Sequence, residues 1–482
     1  MVICKRIVGR LDVKGARLVK GVQFEGVRVL GDARIVAEKY TQAGVDELLY
    51  LDSVASLYGR NGVGDLLRRS SQQVLVPITV GGGIRSVRDA IELLACGADK
   101  VAINSAALKR PELLKELIRA LGSQCVVLSV QAKKVKESFW EAMSDSGRER
   151  SGREVTEWIR LAQEIGVGEI LLTSVDRDGT YMGPDCELIE EVRKVVKVPL
   201  IISGGYAGTN EVTDSLKLDG VSGVGIGAAL HSGQLDIGTI KRACKDNNIA
   251  IVSQEKTHLE RTLVEDLKDI RVGIINCGLG NVQSLVNAFT NLGANCTLSL
   301  GEDGFANCDI LVLPGVGSFP QGVKMLEKYA LDRLIKQWVR QKKPLVGICL
   351  GMQMLFEEGE EFEVCKGLEV LPGRIKKLKC EEESKEVLPH IGWNQLQKGP
   401  AYKYLDCNTM PKSQYFVHSF CATEVPEEIV LFRSIYGTKE PFTAAVLSDN
   451  IAGFQFHPEL SGILGVRLLG SICRLLLDSK NH

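Results

Sequence analysis

The sequence lacks an excess of charge of either sign and contains little proline. Its 482 residues include 59 Lys and Arg against 60 Asp and Glu, so nothing indicates nucleic acid or an anionic membrane as a partner. The 14 prolines are few beside 50 glycines, a ratio that favours tight strand-to-helix turns over a disordered linker protein. A composition of 45% hydrophobic and 25% charged residues is typical of soluble globular proteins.

Long apolar runs and paired cysteines are also missing. No apolar stretch approaches the roughly 20 residues that cross a bilayer. Lys5, Arg6, Arg10 and Asp12 interrupt any signal-peptide core. The 14 cysteines include no CxxC pair, so neither a zinc site nor a disulfide framework is indicated. We therefore expect a cytoplasmic protein with reduced thiols, no metal and no cofactor.

Short β-branched runs alternate with amphipathic segments through the first half of the chain. Eight strands, each followed by a helix, within about 250 residues are typical of a (β/α)8 barrel. The predicted helices include 33–43, 87–96, 111–121 and 155–165. The predicted strands are Arg6–Asp12, Glu47–Asp52, Val76–Gly81, Lys100–Asn104, Cys125–Val130, Glu169–Thr173, Pro199–Ser203 and Gly223–Gly227.

A weak internal repeat favours a closed barrel over a doubly wound open sheet. Residues 76–84 are echoed by 198–206, and residues 99–104 more loosely by 222–227. The offset is about 120 residues each time, so the second half of this region is similar to the first. An open doubly wound sheet does not predict a repeat of half the domain length.

The pattern changes after residue 252. Residues 253–269 are charged and contain neither Gly nor Pro. We predict a barrel over 1–252, a linker over 253–270 and a second domain over 271–482. That domain begins with the predicted strand Val272–Ile275, and a second strand, Asp309–Leu313, ends in a glycine-rich turn. Its pattern predicts an α/β domain with a mostly parallel central sheet.

Cys349 lies in the motif Gly347-Ile348-Cys349-Leu350-Gly351, between a predicted strand and a predicted helix. Flanking glycines allow the sharp turn of a nucleophile elbow, and a helix N-terminus lowers the pKa of a thiol. An isolated motif of this kind fits a buried core cysteine equally well. His457 and Glu459 strengthen the catalytic interpretation, because a carboxylate two residues away on one strand can orient an imidazole that deprotonates Cys349.

The second domain resembles the class I glutamine amidotransferases, most closely the glutaminase part of imidazole glycerol phosphate synthase. The resemblance implies a catalytic set of Cys349, His457 and Glu459, glutamine binding by Gln353, and an oxyanion strand formed by Gly315, Val316 and Gly317. The motifs with this similarity are Pro314–Gly317, Gly347–Gln353, Pro389–Asn394, Tyr415–Ser419 and Gly453–Glu459.

The first half resembles the cyclase barrel of the same family along its length, with matches including Lys5–Ile7, Leu11–Lys14, Val80–Arg85 and Gly168–Thr180. In the family the barrel combines ammonia with a phosphoribosyl-bearing ribulotide, using two aspartates as acid and base. Asp12 matches the first aspartate, whereas Gln131 occupies the second position. An amide cannot transfer a proton near neutral pH, and losing one such group costs about 10²–10⁴ in rate. Gln131 could instead only position substrate, with another residue compensating.

Glycine-rich turns at strand ends suit phosphate, because bare backbone N–H groups can approach its oxygens. A single Gly-Gly pair is more often only a tight turn, but here such turns recur at two repeat-related strand ends. One predicted phosphate site consists of Gly82, Gly83 and Asn104. The other consists of Asp178, Gly179, Gly204, Gly205 and Gly227.

Four charged residues at strand starts match the family's ring around the barrel axis: Arg6, Glu47, Lys100 and Glu169. The resemblance implies a gate for ammonia, although a purely structural ring is an alternative. Other positions depart from the family. Arg10 replaces a cysteine, Val29-Leu30 replaces a polar pair, and Gly227-Ala228-Ala229 lacks a hydroxyl. These departures predict an altered substrate pocket.

Two functions follow for the whole chain. In the first, glutamine-derived ammonia and a phosphorylated small molecule give imidazole glycerol phosphate in histidine biosynthesis. In the second, the barrel is no cyclase and passes ammonia to a partner enzyme that amidates a sugar for surface polysaccharide. An inactive structural protein is a poor third interpretation, since Cys349, His457 and Glu459 are all present. Neither nucleic acid nor a membrane is an expected partner.

Overall fold

The structure is a computed structural model that describes residues 3–53, 63–70, 74–252, 267–276, 281–315, 317–381, 384, 386–405 and 412–479. The chain divides into two compact units. One comprises residues 2–254 and 385–392, and the other residues 255–384 and 393–482. Residues 253–266 of the predicted linker lie outside the described part of the chain.

The first unit contains a closed barrel of eight parallel strands, as the sequence predicts. Each barrel strand pairs with the next one along the chain, including the fifth with the sixth. The eighth strand pairs with the first, with Arg6 opposite Gly223, and this pairing closes the barrel. The strands are Arg6–Lys14, Glu47–Asp52, Ile78–Gly81, Lys100–Ile103, Val126–Lys136, Glu169–Ser174, Leu200–Ser203 and Val221–Ile226.

Helices follow the barrel strands and begin at recognisable caps. Asp32 accepts hydrogen bonds from the backbone at the start of Ala33–Ala43, and Gly44 ends that helix with a φ of +90°. Ser86 and Asp89 form a capping box on Val87–Ala95. The remaining helices of this unit are Gly64–Ser70, Ser105–Lys109, Glu112–Leu121, Val155–Ile165, Cys186–Arg193, Thr209–Lys217, Ala228–His231 and Ile237–Asp246, with a 3₁₀ turn at Ser123–Cys125.

Two hairpins extend from the carboxyl ends of barrel strands. Arg17–Val22 pairs with Glu25–Asp32 after the first strand, and Phe139–Ser144 pairs with Glu149–Glu154 after the fifth. The fifth strand runs to Lys136, beyond the predicted end at Val130, because its last residues pair with Phe139–Ser144. Gln131 therefore lies within a strand, opposite Met143.

The barrel interior is layered by the alternation of side chains along each strand. Arg6, Val8, Arg10 and Asp12 are alternate residues of the first strand and are all buried. The charged ring lies at the strand starts, and a polar layer lies at the strand ends. Between them is an apolar layer of Val8, Leu49, Ala102, Val127, Leu171 and Ile201.

The second unit is built on a sheet of twelve strands. Five neighbouring strands are parallel: Asn295–Ser299, Arg271–Ile275, Ile310–Leu313, Leu345–Ile348 and Ile451–Phe454. The sheet continues as Pro441–Ser448, Phe420–Thr423, Arg374–Lys377, Glu358–Gly359 and Cys365–Lys366. Val430–Ile435 also pairs with Pro441–Ser448, and Gln397–Lys398 pairs with Val430–Ile435. The central part is parallel as predicted, whereas most of the added pairings are antiparallel.

The remaining strands and helices described from residue 281 onward are not part of this twelve-stranded sheet. His390–Gln395 and Ser413–His418 form a separate pair of strands. The helices are Val282–Asn291, Phe319–Lys328, Leu331–Arg340, Leu350–Met354 and Gly462–Ser479, with 3₁₀ turns at Glu302–Phe305, Pro400–Tyr404, Glu427–Ile429 and Pro458–Leu460. Among the helices of the described ranges, none combines the length and the apolar character that a bilayer crossing requires.

Candidate active sites

Cys349 lies at the sharp turn between strand Leu345–Ile348 and helix Leu350–Met354. Its φ of +52° and ψ of −112° are rare for a residue with a side chain, and backbone strain of this kind is concentrated at functional sites. The Cys349 N–H donates to the Phe454 carbonyl at 2.6 Å, which ties the turn to the neighbouring strand. The thiol is thus held at the carboxyl end of the parallel strands, as a nucleophile elbow requires.

The glycines around Cys349 are required by close packing. A Cβ on Gly351 would lie 1.8 Å from the Leu313 carbonyl oxygen. A Cβ on Gly347 would lie 2.9 Å from the backbone of Met352. Neither contact is sterically possible, so the turn needs glycine at both positions.

His457 and Glu459 are buried and in direct contact, with 2.7 Å between Nδ1 and Oε1. The sequence prediction had both residues on one strand, and this detail is wrong. The strand ends at Phe454, and Glu459 lies on the 3₁₀ turn Pro458–Leu460. Pro458 has no N–H to donate to a ladder, and the turn that it begins brings the carboxylate back to the ring.

Electrostatics favour the protonated form of His457. Burial alone lowers the pKa of the imidazole, but the charges of Glu459 and Cys349 outweigh it and hold the pKa well above 6.5. A carboxylate on Nδ1 also fixes the ring orientation and directs Nε2 away from Glu459. The arrangement is suited to proton transfer between imidazole and thiol.

Gln353 and Gln455 form a buried amide pair beside the thiol. The Gln353 amide nitrogen donates to Gln455 Oε1 at 3.0 Å and to the Phe420 carbonyl at 2.9 Å. The Gln455 amide nitrogen lies 3.8 Å from Cys349 Sγ. Gln455 is fully buried and was not predicted, although a polar residue within the apolar run 451–456 is a recognisable sequence signal.

Gly315 packs against the start of the nucleophile helix, Leu350–Met354. A Cβ on Gly315 would lie 2.9 Å from the Gly351 nitrogen, so only glycine permits this approach. Gly317 has a φ of +136°, which also favours glycine. Val316 lies outside the described residues.

Glu361 is a buried carboxylate that was not predicted from the sequence. Its Oε2 accepts the Phe319 N–H at 2.7 Å and so caps the helix Phe319–Lys328, which begins two residues after Gly317. Burial raises the pKa of Glu361 to about 7. The segment 357–363 contains four glutamates besides Glu361, and among these five only Glu361 is buried. The sequence alone cannot distinguish it from the others.

The two predicted phosphate sites lie at the carboxyl ends of the barrel strands. Gly82, Gly83 and Asn104 line a cavity of about 300 Å³ together with Asp12 and Gln131. Three cationic residues also line it: Arg85, Lys109 and Arg110. The second predicted set lines a much smaller concavity, comprising Asp178, Gly179, Gly204, Gly205 and Gly227.

Backbone geometry repeats between these two sets. Gly82 and Gly204 have φ values of +111° and +108°, and Gly83 and Gly205 have values of +74° and +92°. Asn104 and Gly227 each precede a short helix with similar φ and ψ, −126° and −91° against −116° and −82°. The half-length repeat seen in the sequence thus corresponds to repeated turns.

Asp12 is held in a buried cluster of alternating charges. Arg10 Nε lies 2.9 Å and Lys20 Nζ 2.6 Å from its carboxylate oxygens. The same two cations contact Asp178 at 3.1 and 2.7 Å. Burial raises the pKa of Asp12, but the charges of Arg10 and Lys20 outweigh this and hold the pKa far below its usual range. The carboxylate is therefore a poor proton acceptor.

Gln131 faces the same cavity as Asp12 and contributes an amide where the resemblance implies a carboxylate. Its Oε1 atom is buried and has no hydrogen-bond partner within the described part of the chain. Buried polar atoms are usually hydrogen-bonded. The amide oxygen is thus available to accept a hydrogen bond from a ligand in the cavity.

The four charged residues at the strand starts form a closed ring. Each cation contacts both carboxylates: Arg6 and Lys100 lie 2.8 Å from Glu47, Lys100 lies 2.6 Å from Glu169, and Arg6 also bonds Glu169. All four side chains are fully buried. Burial raises the pKa of Glu47, but the charges of Lys100 and Arg6 prevail and lower it.

Two protein families match different parts of the chain. The family model of histidine biosynthesis proteins matches residues 6–236, and that of class I glutamine amidotransferases matches residues 273–465. The barrel is similar to imidazole glycerol phosphate synthase subunit HisF of Legionella pneumophila, with 52% identity over 43% of this chain and 97% of the relative. It is also similar to the subunits HisF of Bacillus cereus and Streptococcus sanguinis, at 41% and 43% identity. These alignments cover 52% and 50% of this chain and 99% and 95% of the relatives.

The relatives share more than 40% identity over nearly their full length, and a glutaminase-type domain follows the barrel in the same chain. The chain therefore belongs to the imidazole glycerol phosphate synthase family, as an enzyme with a barrel of the histidine biosynthesis type joined to a class I glutamine amidotransferase domain.

Proposed function

We propose that the second domain hydrolyses glutamine through Cys349. The thiolate attacks the side-chain amide carbon, His457 donates a proton to the leaving ammonia, and a water molecule then cleaves the thioester to release glutamate. The observation that supports this most directly is the 2.7 Å contact between His457 and Glu459, together with the strained turn at Cys349. No metal or cofactor takes part in these steps.

Neighbouring groups have defined tasks in this proposal. Backbone N–H groups of Gly315, Val316 and Gly317 stabilise the tetrahedral oxyanion, which is worth about 10²–10³ in rate for a single donor in other enzymes. Gln353 and Gln455 hold the substrate side chain beside the thiol. Glu361 orients the oxyanion segment by capping the helix that follows it.

The barrel receives the ammonia in this proposal. Neutral ammonia enters at the strand starts, passes the ring of Arg6, Glu47, Lys100 and Glu169, and emerges near Asp12. The apolar layer above the ring suits a neutral molecule, because ammonium would lose its hydration there without an anionic partner. A phosphorylated acceptor binds through the turns at Gly82–Gly83 and Gly204–Gly205.

The acceptor reaction has two candidates. Family membership and the repeated glycine turns favour imidazole glycerol phosphate synthesis. A specific observation favours the second candidate, in which the barrel delivers ammonia to a partner enzyme that amidates a sugar. Asp12 is engaged by Arg10 and Lys20 and Gln131 replaces the second acid, so neither usual proton-transfer group is free.

Two assays test the proposal. Cys349→Ala should abolish glutamate release from glutamine, while Cys296→Ala, a partly exposed cysteine outside the site, should leave it intact. Retained hydrolysis in Cys349→Ala would overturn the glutaminase assignment. Supplying the ribulotide with an ammonium salt separates the acceptor reactions, because rapid formation of imidazole glycerol phosphate would eliminate the partner-enzyme candidate.

A further inference from the structure

Ser461 is a buried residue that none of the proposed steps uses. It follows the 3₁₀ turn Pro458–Leu460, and only 5% of it is exposed. Its hydroxyl donates to the His457 carbonyl at 2.6 Å and accepts the Tyr415 N–H at 2.9 Å. Ser461 therefore joins the backbone of the proposed catalytic histidine to a residue 46 positions earlier in the chain.

Tyr415 is bonded to the same histidine a second time. The His457 N–H donates to the Tyr415 carbonyl at 2.9 Å. The amide and the carbonyl of His457 are thus both tied to Tyr415, the first directly and the second through the Ser461 hydroxyl. Because the N–H and C=O of one strand residue point to the same edge of the strand, the two links hold His457 against one edge of Ser413–His418.

That edge also reaches the thiol. Val417 lies two residues beyond Tyr415, so its carbonyl points to the same edge, and this carbonyl lies 3.8 Å from Cys349 Sγ. The strand Ser413–His418 is not part of the twelve-stranded sheet whose strand Leu345–Ile348 leads into Cys349. One strand edge, contributed from outside that sheet, therefore contacts both the nucleophile and its histidine.

A purely structural role for the hydroxyl, as a cap of the 3₁₀ turn, is the alternative. The backbone of the turn is already bonded without it, because the His457 carbonyl accepts the Leu460 N–H at 3.1 Å and the Pro458 carbonyl accepts the Ser461 N–H at 3.2 Å. What the hydroxyl adds is the link to Tyr415, which the turn by itself does not make.

We propose that Ser461 is a positioning residue of the glutaminase site, whose hydroxyl aligns His457 with the Cys349 thiol through Tyr415. This inference rests on the proposed hydrolysis of glutamine. Glu459 contacts Nδ1 and so orients the imidazole ring, whereas Ser461 places the backbone that carries the ring. The alignment matters because a misplacement of about 1 Å can cost an active site about 10²-fold in rate.

The test is glutamate release by Ser461→Ala in the full chain. Without the hydroxyl, the Tyr415 N–H and the His457 carbonyl lose their bridge, and the imidazole is less firmly held beside the thiol. We expect kcat to fall by about tenfold or more, whereas KM should stay within about twofold, because glutamine binding does not use this hydroxyl. Ser461→Cys, whose thiol is a weak donor on a side chain of similar shape, should give an intermediate kcat.

The pH profile supplies a readout that a loss of stability alone would not move. The charges of Glu459 and Cys349 hold the pKa of His457 well above 6.5. In Ser461→Ala the contact with the thiol loosens, so this pKa should fall toward its ordinary value and His457 should lose its proton at a lower pH. The alkaline side of the kcat/KM profile should therefore move to lower pH by about 0.5 or more.

Ser434→Ala is the matched control. Ser434 is fully buried, and its hydroxyl donates to the Gln395 carbonyl at 2.8 Å, so this variant also loses one hydroxyl hydrogen bond to a backbone carbonyl of the same domain. The two alanine variants should lower the urea midpoint by similar amounts. Ser434→Ala should nevertheless keep kcat within about twofold and leave the pH profile in place.

Two results would overturn the positioning role. One is a kcat and a pH profile of Ser461→Ala that equal those of Ser434→Ala. The other is a rise in KM at unchanged kcat, which would assign the hydroxyl to substrate binding. Failure of the proposed function is distinguishable from both, because it appears as glutamate release that survives Cys349→Ala, whatever the result at Ser461.

Discussion

The two candidate sites surround an acid–base group with opposite charges and opposite consequences. In the glutaminase domain, Glu459 contacts His457 and raises the pKa of the imidazole, so the ring readily holds a proton. In the barrel, Arg10 and Lys20 contact Asp12 and lower the pKa of the carboxyl, so it readily loses one. In the glutaminase domain, His457 can exchange a proton with the Cys349 thiol. In the barrel, the Asp12 carboxylate stays paired with Arg10 and Lys20.

The barrel keeps its architecture whatever groups transfer protons at its mouth. The eight strands, the ring at their starts and the repeated glycine turns all remain. Two positions that depart from the pattern implied by the resemblance, Arg10 and Gln131, lie close to Asp12 at the mouth. Because the fold is set by the buried pattern of each strand, we expect substitutions at these two positions to alter proton transfer without disturbing the barrel.

The largest expected effect is at His457. His457→Ala removes the base that activates Cys349, and glutamate release should fall by about 10³-fold or more, as for other members of catalytic triads. Glutamate release under saturating glutamine measures it. His231→Gln, a histidine of the barrel, serves as the control and should leave hydrolysis nearly unchanged. A loss of less than tenfold in His457→Ala would show that another residue activates the thiol.

Two substitutions shift the barrel site toward the pattern that the family resemblance implies. Gln131→Asp restores the second carboxylic acid, and Arg10→Cys removes one ion pair of Asp12. Gln131→Asp alone should gain little, because Asp12 still has its ion pairs with Arg10 and Lys20. Gln131→Asp combined with Arg10→Cys should raise imidazole glycerol phosphate formation from ribulotide and ammonium by about 10²-fold or more. Product formation followed by chromatography measures the rates. Equal gains from the single and the double variant would remove Arg10 from the explanation.

Sequence patterns predicted the barrel well because its strands are buried on both faces and read as short apolar runs. All eight barrel strands appear, with ends that differ mainly where pairing continues into a hairpin, as at Lys136. The half-length repeat also predicted the paired turns at Gly82–Gly83 and Gly204–Gly205. Such local signals need no knowledge of tertiary contacts.

Contacts between residues distant in the chain could not be predicted in the same way. Asp12 is neutralised by Lys20 from the hairpin and by Arg10, and both also contact Asp178, more than 150 residues away in sequence. Gln455 and Glu361 likewise gain their positions from packing, since Gln455 is buried just after the strand Ile451–Phe454 and Glu361 is buried within an acidic segment. The sequence shows that Arg10 departs from the family's pattern, but only the structure shows its ion pairs with Asp12 and Asp178.

The charged ring allows a comparison of buried and exposed ion pairs. Lys100→Met removes one cation from two fully buried carboxylates, Glu47 and Glu169, and should lower the free energy of unfolding by about 3–5 kcal/mol. Lys342→Met removes a partner from the exposed pair with Asp449 and should cost less than about 1 kcal/mol. Urea unfolding of both variants measures the difference. Similar costs would contradict the closed ring.

The smallest expected effect concerns His231 in the barrel, whose pKa shift is opposite in direction to that of His457. Burial lowers the pKa of His231 from 6.5 to about 4, and its Nδ1 lies 2.7 Å from the Tyr40 hydroxyl. Between those pH values the unfolded chain binds a proton that the folded chain does not, so stability falls as pH falls. His231→Gln should therefore make the loss of stability on acidification shallower, while His418, whose pKa is also lowered to about 4, preserves part of it. Urea midpoints of the unchanged protein and the variant, compared at neutral pH and at about pH 5, measure this slope. An unchanged slope would mean that the imidazole already takes up its proton in the folded barrel.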